Sequence, residues 1–307
     1  MITSLFKKST PLNYGLIIVA IFVFFFVYQI GHANSASGTL IAQIGMLLII
    51  YASLFIANFI IKRNGLGKDS AYTALALLLF FLFFPAVMNR PNLLLSNFFI
   101  LLALRRLISM QSMKATKEKI FDASLWIFVA ALFHFWSILF IILVFLSILF
   151  HVSRDYRNWV LPFIALLATG LLVLLYASVF DESLIGWIHS QTATSLKINY
   201  FTDSSQNLAL SVFSSVSLFF AASMLLTLTG RPLVLQSSFK KIFACFIIGV
   251  AIWVISPNKS NEMLIFTFAP LAFMATAHIE LPTGQIKKEV TLALFIACGL
   301  FLFFLQL

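Results

Sequence analysis

Long apolar blocks alternate with short polar segments along the whole chain. They run approximately over residues 13–31, 39–61, 70–88, 93–110, 159–180, 208–229, 241–257, 261–279 and 289–306. A helix of roughly 17 to 23 residues is long enough to cross a ~30 Å hydrocarbon layer. The blocks lack the alternation of β-barrel strands, and backbone groups in lipid must bond within their own segment. Each block is therefore predicted to be a transmembrane helix.

One further block, residues 121–151, is too long for one ordinary crossing and short for two. Because basic residues concentrate in cytoplasmic loops, charge decides between the alternatives. A single crossing scatters the later basic loops over both faces. A hairpin that turns near His134 leaves only Arg90, Lys197 and Lys259 outside. The charges therefore predict a hairpin of two helices too short to cross unaided, which is tolerated where their ends are buried in protein or line a water-filled cavity.

The predicted fold class is all-α: a polytopic transmembrane helix bundle of about eleven segments, folded as a single integral membrane domain over residues 1–307. We expect the N-terminus in the cytoplasm and the C-terminus on the other side. Lys7 and Lys8 before an apolar stretch would also suit a signal peptide. That stretch is longer than the usual apolar region of about 7 to 15 residues, so we expect a retained first helix.

Composition agrees with a membrane location. Hydrophobic residues make up 62% of the chain and charged residues 10%, whereas about 25% of an ordinary soluble domain is charged. The net charge of +10 is carried between the apolar blocks, so it indicates topology and no nucleic-acid partner. Cys245 and Cys298 lie inside apolar blocks without metal-ligand spacing and read as buried hydrophobic residues.

A basic segment at the end of the fourth helix holds the first candidate site residues. Arg105 and Arg106 lie about one turn inside the helix end, and Asp122 opens the next block. One interpretation is an ion pair between the two segments. The other is that the guanidinium groups bind the phosphate of a lipid or another anion.

The short loop RDYRNW is the second basic candidate. Arg154 and Arg157 bracket Asp155, and the three side chains can pair locally while Tyr156 and Trp159 lie in the headgroup region. Binding of an anion by the two arginines is the alternative.

Two candidates lie on the predicted outer side. Arg90 sits in a tight loop between two prolines, and His134 lies among aromatic residues at the hairpin tip. In the structural interpretation, Arg90 extends its charged end to the membrane surface, and His134 is hydrogen-bonded to a neighbouring helix. Alternatively, they bind an anion together with Lys259 and Glu262 of the SPNKSNEM turn.

Several motifs are absent from the sequence. There is no Walker A sequence, Rossmann glycine pattern, GxSxG elbow or repeated basic motif of a voltage sensor. The histidines show no metal-binding spacing, so neither a metal nor another cofactor is indicated.

The polar stretch from Asp181 to Asn207 has room for an interfacial helix with Leu184, Ile185, Trp187 and Ile188 on one face.

The opening MITSLFKKSTPLNY, the central LALRRLISMQS, KIFDASLWIFVAALFHFWSILFIILVF and RDYRNWVLPF together resemble an uncharacterised family of inner-membrane proteins of Bacteroidota. The resemblance spans the whole chain and implies a Gram-negative inner membrane, but no activity or cofactor. The architecture is also similar to that of multi-spanning glycosyltransferases and polymerases that act on polyprenyl-phosphate-linked sugars. Many of those glycosyltransferases carry acidic residues in the first external loop, and GHANSASGT contains none.

Two functions remain open at this point. The first is a non-enzymatic inner-membrane subunit of an envelope assembly, secretion or motility complex. The second is an enzyme or transporter that acts on a lipid-linked glycan or lipid phosphate, with the catalytic residues undetermined. In either case we expect membrane lipids and other membrane or periplasmic proteins as partners.

Overall fold

The computed structural model describes residues 2–32, 39–180, 186, 190–196, 203–257, 259–282 and 284–307. Within them the chain forms twelve α-helices and no β-strand, which confirms the all-α prediction. The helices are α1 (Ile2–Phe6), α2 (Pro11–Gly31), α3 (Leu40–Arg63), α4 (Tyr72–Phe83), α5 (Pro91–Ile108), α6 (Thr116–Phe133), α7 (Ile141–His151), α8 (Arg157–Val179), α9 (Ser204–Thr227), α10 (Leu233–Ile255), α11 (Ile265–Ile279) and α12 (Gln285–Leu305). Short 3-10 helices cover Pro85–Asn89, Ser109–Ser112, Phe135–Phe140 and Asn261–Leu264.

Eight of the described segments are long and apolar enough to cross a membrane. They are α2, α3, α5 with its 3-10 extension, α8, α9, α10, α11 with its preceding 3-10 turn, and α12. Several of them leave large apolar side chains exposed, such as Leu167 and Leu172 on α8 and Leu226 on α9. Lipid chains are the environment in which such exposure is stable. The chain is therefore a polytopic transmembrane helix bundle.

Two of the helix boundaries that differ from the sequence prediction have clear local causes. The block predicted at 70–88 divides after Phe83, because Pro85 forces the preceding Phe84 out of the helical region, to φ −137° and ψ 74°. The helix predicted to begin at 241 already begins at Leu233, directly after Pro232. Its first turns contain polar residues, which the hydrophobic pattern assigned to a loop. The residues predicted to form the apolar face of an interfacial helix, Leu184, Ile185, Trp187 and Ile188, lie outside the described residues.

The chain forms two compact units, each built from segments that are distant in sequence. The first unit comprises Met1–Leu94, Asn199–Arg231 and Thr267–Leu307, and the second comprises Leu95–Ile198 and Pro232–Phe266. The prediction of a single membrane domain stays a prediction.

Helix α4 forms the centre of the first unit. All of its residues are buried, and it contacts α2, α3 and α12. With 12 residues it spans about 18 Å, well short of a hydrocarbon layer. Its C-terminal carbonyl at Phe83 accepts a hydrogen bond from the Gln306 side-chain amide at 2.8 Å. A helix this short is stable inside a membrane protein because protein surrounds it and supplies hydrogen-bond partners for the backbone groups at its end.

Phenylalanine rings fill the space around α4. Phe80 lies 5.0 Å from Phe295 of α12, and Phe84 lies 5.1 Å from Phe213 of α9, measured between ring centroids. Phe81 meets Phe268 of α11 edge to face at 5.5 Å. Such tilted and edge-on pairs are favourable beyond the area they bury. This aromatic core holds α4, α9, α11 and α12 together.

The second unit contains the block predicted to be a hairpin. Helix α6 ends at Phe133, His134 is extended, and a 3-10 turn leads into α7. The Lys117 ammonium, in the first turn of α6, lies 3.4 Å from the Asp155 carboxylate, just beyond the end of α7. The two ends of the block therefore lie side by side, which confirms the hairpin. It begins at Thr116, five residues before the predicted boundary of 121.

Candidate functional site

Seven of the eight residues predicted from the sequence lie in the second unit, and Arg90 lies in the first. Six of the seven share one end of the second unit, which we call the basic end. It is formed by the ends of α5 and α7 and the starts of α6, α8 and α10. The six residues are Arg105, Arg106, Asp122, Arg154, Asp155 and Arg157.

Arg106 and Asp122 form an ion pair between α5 and α6. The guanidinium Nη2 lies 2.9 Å from the carboxylate Oδ2. Both side chains are partly exposed, so solvent screens their attraction and the pair contributes at most about 1 kcal/mol. Arg105, one position earlier, is exposed. The pair is the interhelical contact that the first interpretation of this segment describes.

Asp155 joins three elements of the basic end. Its carboxylate accepts a hydrogen bond from the backbone N–H of Arg157 at 3.1 Å and pairs with Lys117. These two groups, the N–H first, hold the pKa of Asp155 below its ordinary value. The guanidinium of Arg157 lies 6.0 Å from the centre of the Tyr156 ring, and Arg154 is exposed. The ion pair of Asp155 thus reaches α6, whereas the sequence predicted pairing within the loop.

Lys241 is the most deeply buried charged residue of the basic end. It was not among the site residues predicted from the sequence. It lies on α10, its side chain is fully buried, and its ammonium donates a hydrogen bond to the Leu107 carbonyl at 2.5 Å. The neighbouring Lys240 is exposed. Charge counting assigned both lysines to a loop because α10 was predicted to begin at 241.

The backbone carbonyl groups at the end of α5 also accept a hydrogen bond from a second lysine, Lys119. The Lys119 ammonium donates to the Ser109 carbonyl at 2.7 Å and to the Ser112 hydroxyl at 2.8 Å. The last carbonyls of a helix lack partners within it and carry partial negative charge. Lys119 and Lys241 therefore stabilise the end of α5 and its 3-10 extension by charge-assisted hydrogen bonds.

Polar contacts also attach α10 to its neighbours. The Ser238 hydroxyl donates to the Gln111 side-chain carbonyl at 3.0 Å, and Ser237 lies 3.4 Å from the His151 ring. The other ring nitrogen of His151 is 3.2 Å from the Ser147 carbonyl. The contacts of Ser238 and Ser237 therefore join the start of α10 to the ends of α5 and α7.

His134 lies at the opposite end of the second unit. Its ring Nε2 is 3.4 Å from the Ser256 hydroxyl, and its ring centre is 5.5 Å from that of Phe266. The Lys259 ammonium donates to the Ser195 carbonyl and lies 3.4 Å from the Ser256 carbonyl. His134 and Lys259 thus both lie near Ser256, as part of the predicted outer cluster. The contact with Ser256 fits a histidine bonded across helices.

Arg90 is exposed at the start of α5, and its backbone carbonyl accepts the first helical hydrogen bond, from Leu94. Within the described ranges, no three histidine, cysteine or acidic side chains lie close enough together to hold a metal ion.

Lysine, arginine, carboxylate and carbonyl groups connect the ends of α5, α6, α8 and α10, and His151 connects the end of α7 to α10. Such a network fixes helix positions at the edge of the hydrocarbon layer. The fold and this network define a multi-pass α-helical membrane protein. Comparison with protein-family models, with curated proteins and with solved structures found no match.

Proposed function

We propose that the protein is a non-enzymatic subunit of an inner-membrane complex for envelope assembly, secretion or motility. The observation that carries the proposal is the exposed serine face of α9. Ser211, Ser214 and Ser215 are exposed along this transmembrane helix, and helical spacing places them on one face with the exposed Leu218.

The serine face suits another helix better than it suits lipid. Each of the three hydroxyl groups bonds to a carbonyl one turn earlier, at 2.9, 2.7 and 3.0 Å, so the side chains stay close to their own helix. Small residues let a second helix approach closely, which is how helices associate in membranes. The face is therefore the proposed contact for a transmembrane helix of a partner protein.

The contacts of the charged candidates also support a structural role. Arg106, Asp155, Lys119 and Lys241 hold helix ends through the contacts described above. The inner membrane and a cytoplasmic N-terminus are part of the proposal. They are supported by the distribution of basic residues and by the family resemblance.

The test is gentle-detergent purification from the native membrane, with mass spectrometry of the proteins and lipids that stay bound. We expect a stoichiometric protein partner. Replacing Ser211 and Ser215 by leucine should release it. Replacing Ala293 and Ala297 by leucine is the matched control, because these residues are also small, exposed and one turn apart, on α12; this variant should keep the partner.

Two results would contradict the proposal. One is equal loss of the partner from both variants. The other is a protein that purifies alone with a polyprenyl-phosphate or another anionic lipid, which would favour the enzyme or transporter.

A further inference from the structure

A small cavity opens at one end of the first unit, where α1, the α3–α4 loop, the end of α11 and the start of α12 meet. Its volume is about 90 Å³. Lys7, Lys68 and Lys288 line it, together with Ser4, Tyr72 and Glu280. The three lysines come from three separate segments, so their convergence is a property of the fold and has no counterpart in a sequence motif.

The single carboxylate of the cavity is already bonded. One oxygen of Glu280 accepts the backbone N–H of Lys68 at 2.7 Å, and the other accepts the Ser70 hydroxyl at 2.7 Å. The Tyr72 hydroxyl donates to the Thr3 carbonyl at 2.6 Å. These contacts fix the walls of the cavity in position.

The side chains of the three lysines, by contrast, make no such contacts within the described part of the chain. Among the residues that the structure describes, none of the three ammonium groups has an ion-pair or hydrogen-bond partner. Three lysines line the cavity with one carboxylate, Glu280, and a second carboxylate, Glu289, bonds to the lining residue Thr3. The surroundings of the cavity therefore carry an excess of positive charge. Clefts lined by one sign of charge concentrate ions of the opposite sign.

The loop that carries Lys68 is held in place by its backbone. Helix α3 ends in a Schellman motif, with Gly65 at φ +64° and hydrogen bonds from Gly65 to Lys62 and from Leu66 to Ile61. Gly67 then passes so close to Glu280 that a Cβ atom would lie 3.1 Å from its carboxylate oxygen. These contacts hold the backbone of the loop in position, which lowers the entropy lost when the loop binds a ligand.

We propose that this cavity binds a phosphate-bearing anion. Its volume is below the roughly 300–1,000 Å³ of drug-sized ligand pockets, which suits a single phosphate group. Lysine binds phosphate as a compact point charge with three donors. The headgroup of an anionic phospholipid and free inorganic phosphate present the same chemistry, and the experiment separates them.

The test uses the full-length protein in a neutral detergent and follows its melting temperature. Short-chain phosphatidylglycerol is titrated in one arm, and inorganic phosphate at constant ionic strength in the other. Stabilisation by the lipid alone identifies a headgroup site, and stabilisation by phosphate as well identifies a site for the free anion. In either case, replacing Lys7, Lys68 and Lys288 by glutamine should raise the half-saturating ligand concentration by at least about tenfold.

The matched control replaces Lys8, Arg63 and Lys287 by glutamine. These residues are exposed, belong to the same unit and lie outside the cavity lining, and the change in net charge is the same. The half-saturating ligand concentration of the control should lie within about twofold of the wild-type value. The proposal is overturned if neither ligand stabilises the wild type, or if both variants weaken binding equally.

Discussion

Lys241 shows how a charged residue is accommodated within a transmembrane helix. Its ammonium group is buried and bonded to the Leu107 carbonyl, a group that helix α5 itself leaves unsatisfied. A charged group at membrane depth is costly unless such a partner compensates for the lost hydration. The contact makes Lys241 a tie between α10 and α5.

Replacing Lys241 by alanine is expected to destabilise the protein by about 2–4 kcal/mol, because it leaves both a cavity and an unbonded carbonyl. Replacing the exposed Lys240 by alanine should change stability by less than about 0.5 kcal/mol. Thermal unfolding of both variants in the same detergent provides the measurement. A Lys241→Ala protein that melts at or above the wild-type temperature would show that the ammonium group does not stabilise the end of α5.

At the scale of elements, glycines set how closely the helices and loops of the first unit approach. At Gly299 of α12 a Cβ atom would lie 3.3 Å from a Leu79 methyl group, so α12 packs tightly on the buried α4. At Gly67 a Cβ atom would lie 2.9 Å from an Ile61 methyl group as well as close to Glu280. The α3–α4 loop depends on this missing side chain.

Gly67→Ala should therefore lower stability by about 1–3 kcal/mol through overpacking. Gly15→Ala is the control, because Gly15 lies within α2 and a Cβ atom there would meet nothing within 4 Å. Alanine favours the helix, so this control should be neutral or slightly stabilising. The comparison is made by thermal unfolding, and equal melting temperatures for the two variants would argue against a close approach at Gly67.

The sequence predicted the elements better than their contacts. A crossing helix needs a long apolar block, so α2, α3 and α8 could be identified from composition along the chain. The start of α10 was placed wrongly because its first turns are polar. Pairs such as Lys117 with Asp155 join residues that are distant in sequence, and only packing brings them together.

At the scale of the whole molecule, the hairpin decides the topology. Since α6 and α7 return the chain to the level at which it entered, every later segment crosses in the opposite direction from that of a single-crossing arrangement. Counting the crossings along the chain then predicts that the later basic loops lie on the same side of the membrane as the earlier ones, in accordance with the positive-inside rule. Topology and charge distribution thus agree only if the block folds back.

The most direct test is cysteine accessibility in intact spheroplasts, after Cys245 and Cys298 have been replaced by alanine. Single cysteines are introduced by Lys114→Cys before α6, Arg154→Cys after α7 and Thr194→Cys after α8, all at exposed positions. A membrane-impermeant maleimide should label the protein with Thr194→Cys, and the other two only after permeabilisation. Labelling of the Lys114→Cys and Arg154→Cys proteins from opposite sides would contradict the hairpin and the topology built on it.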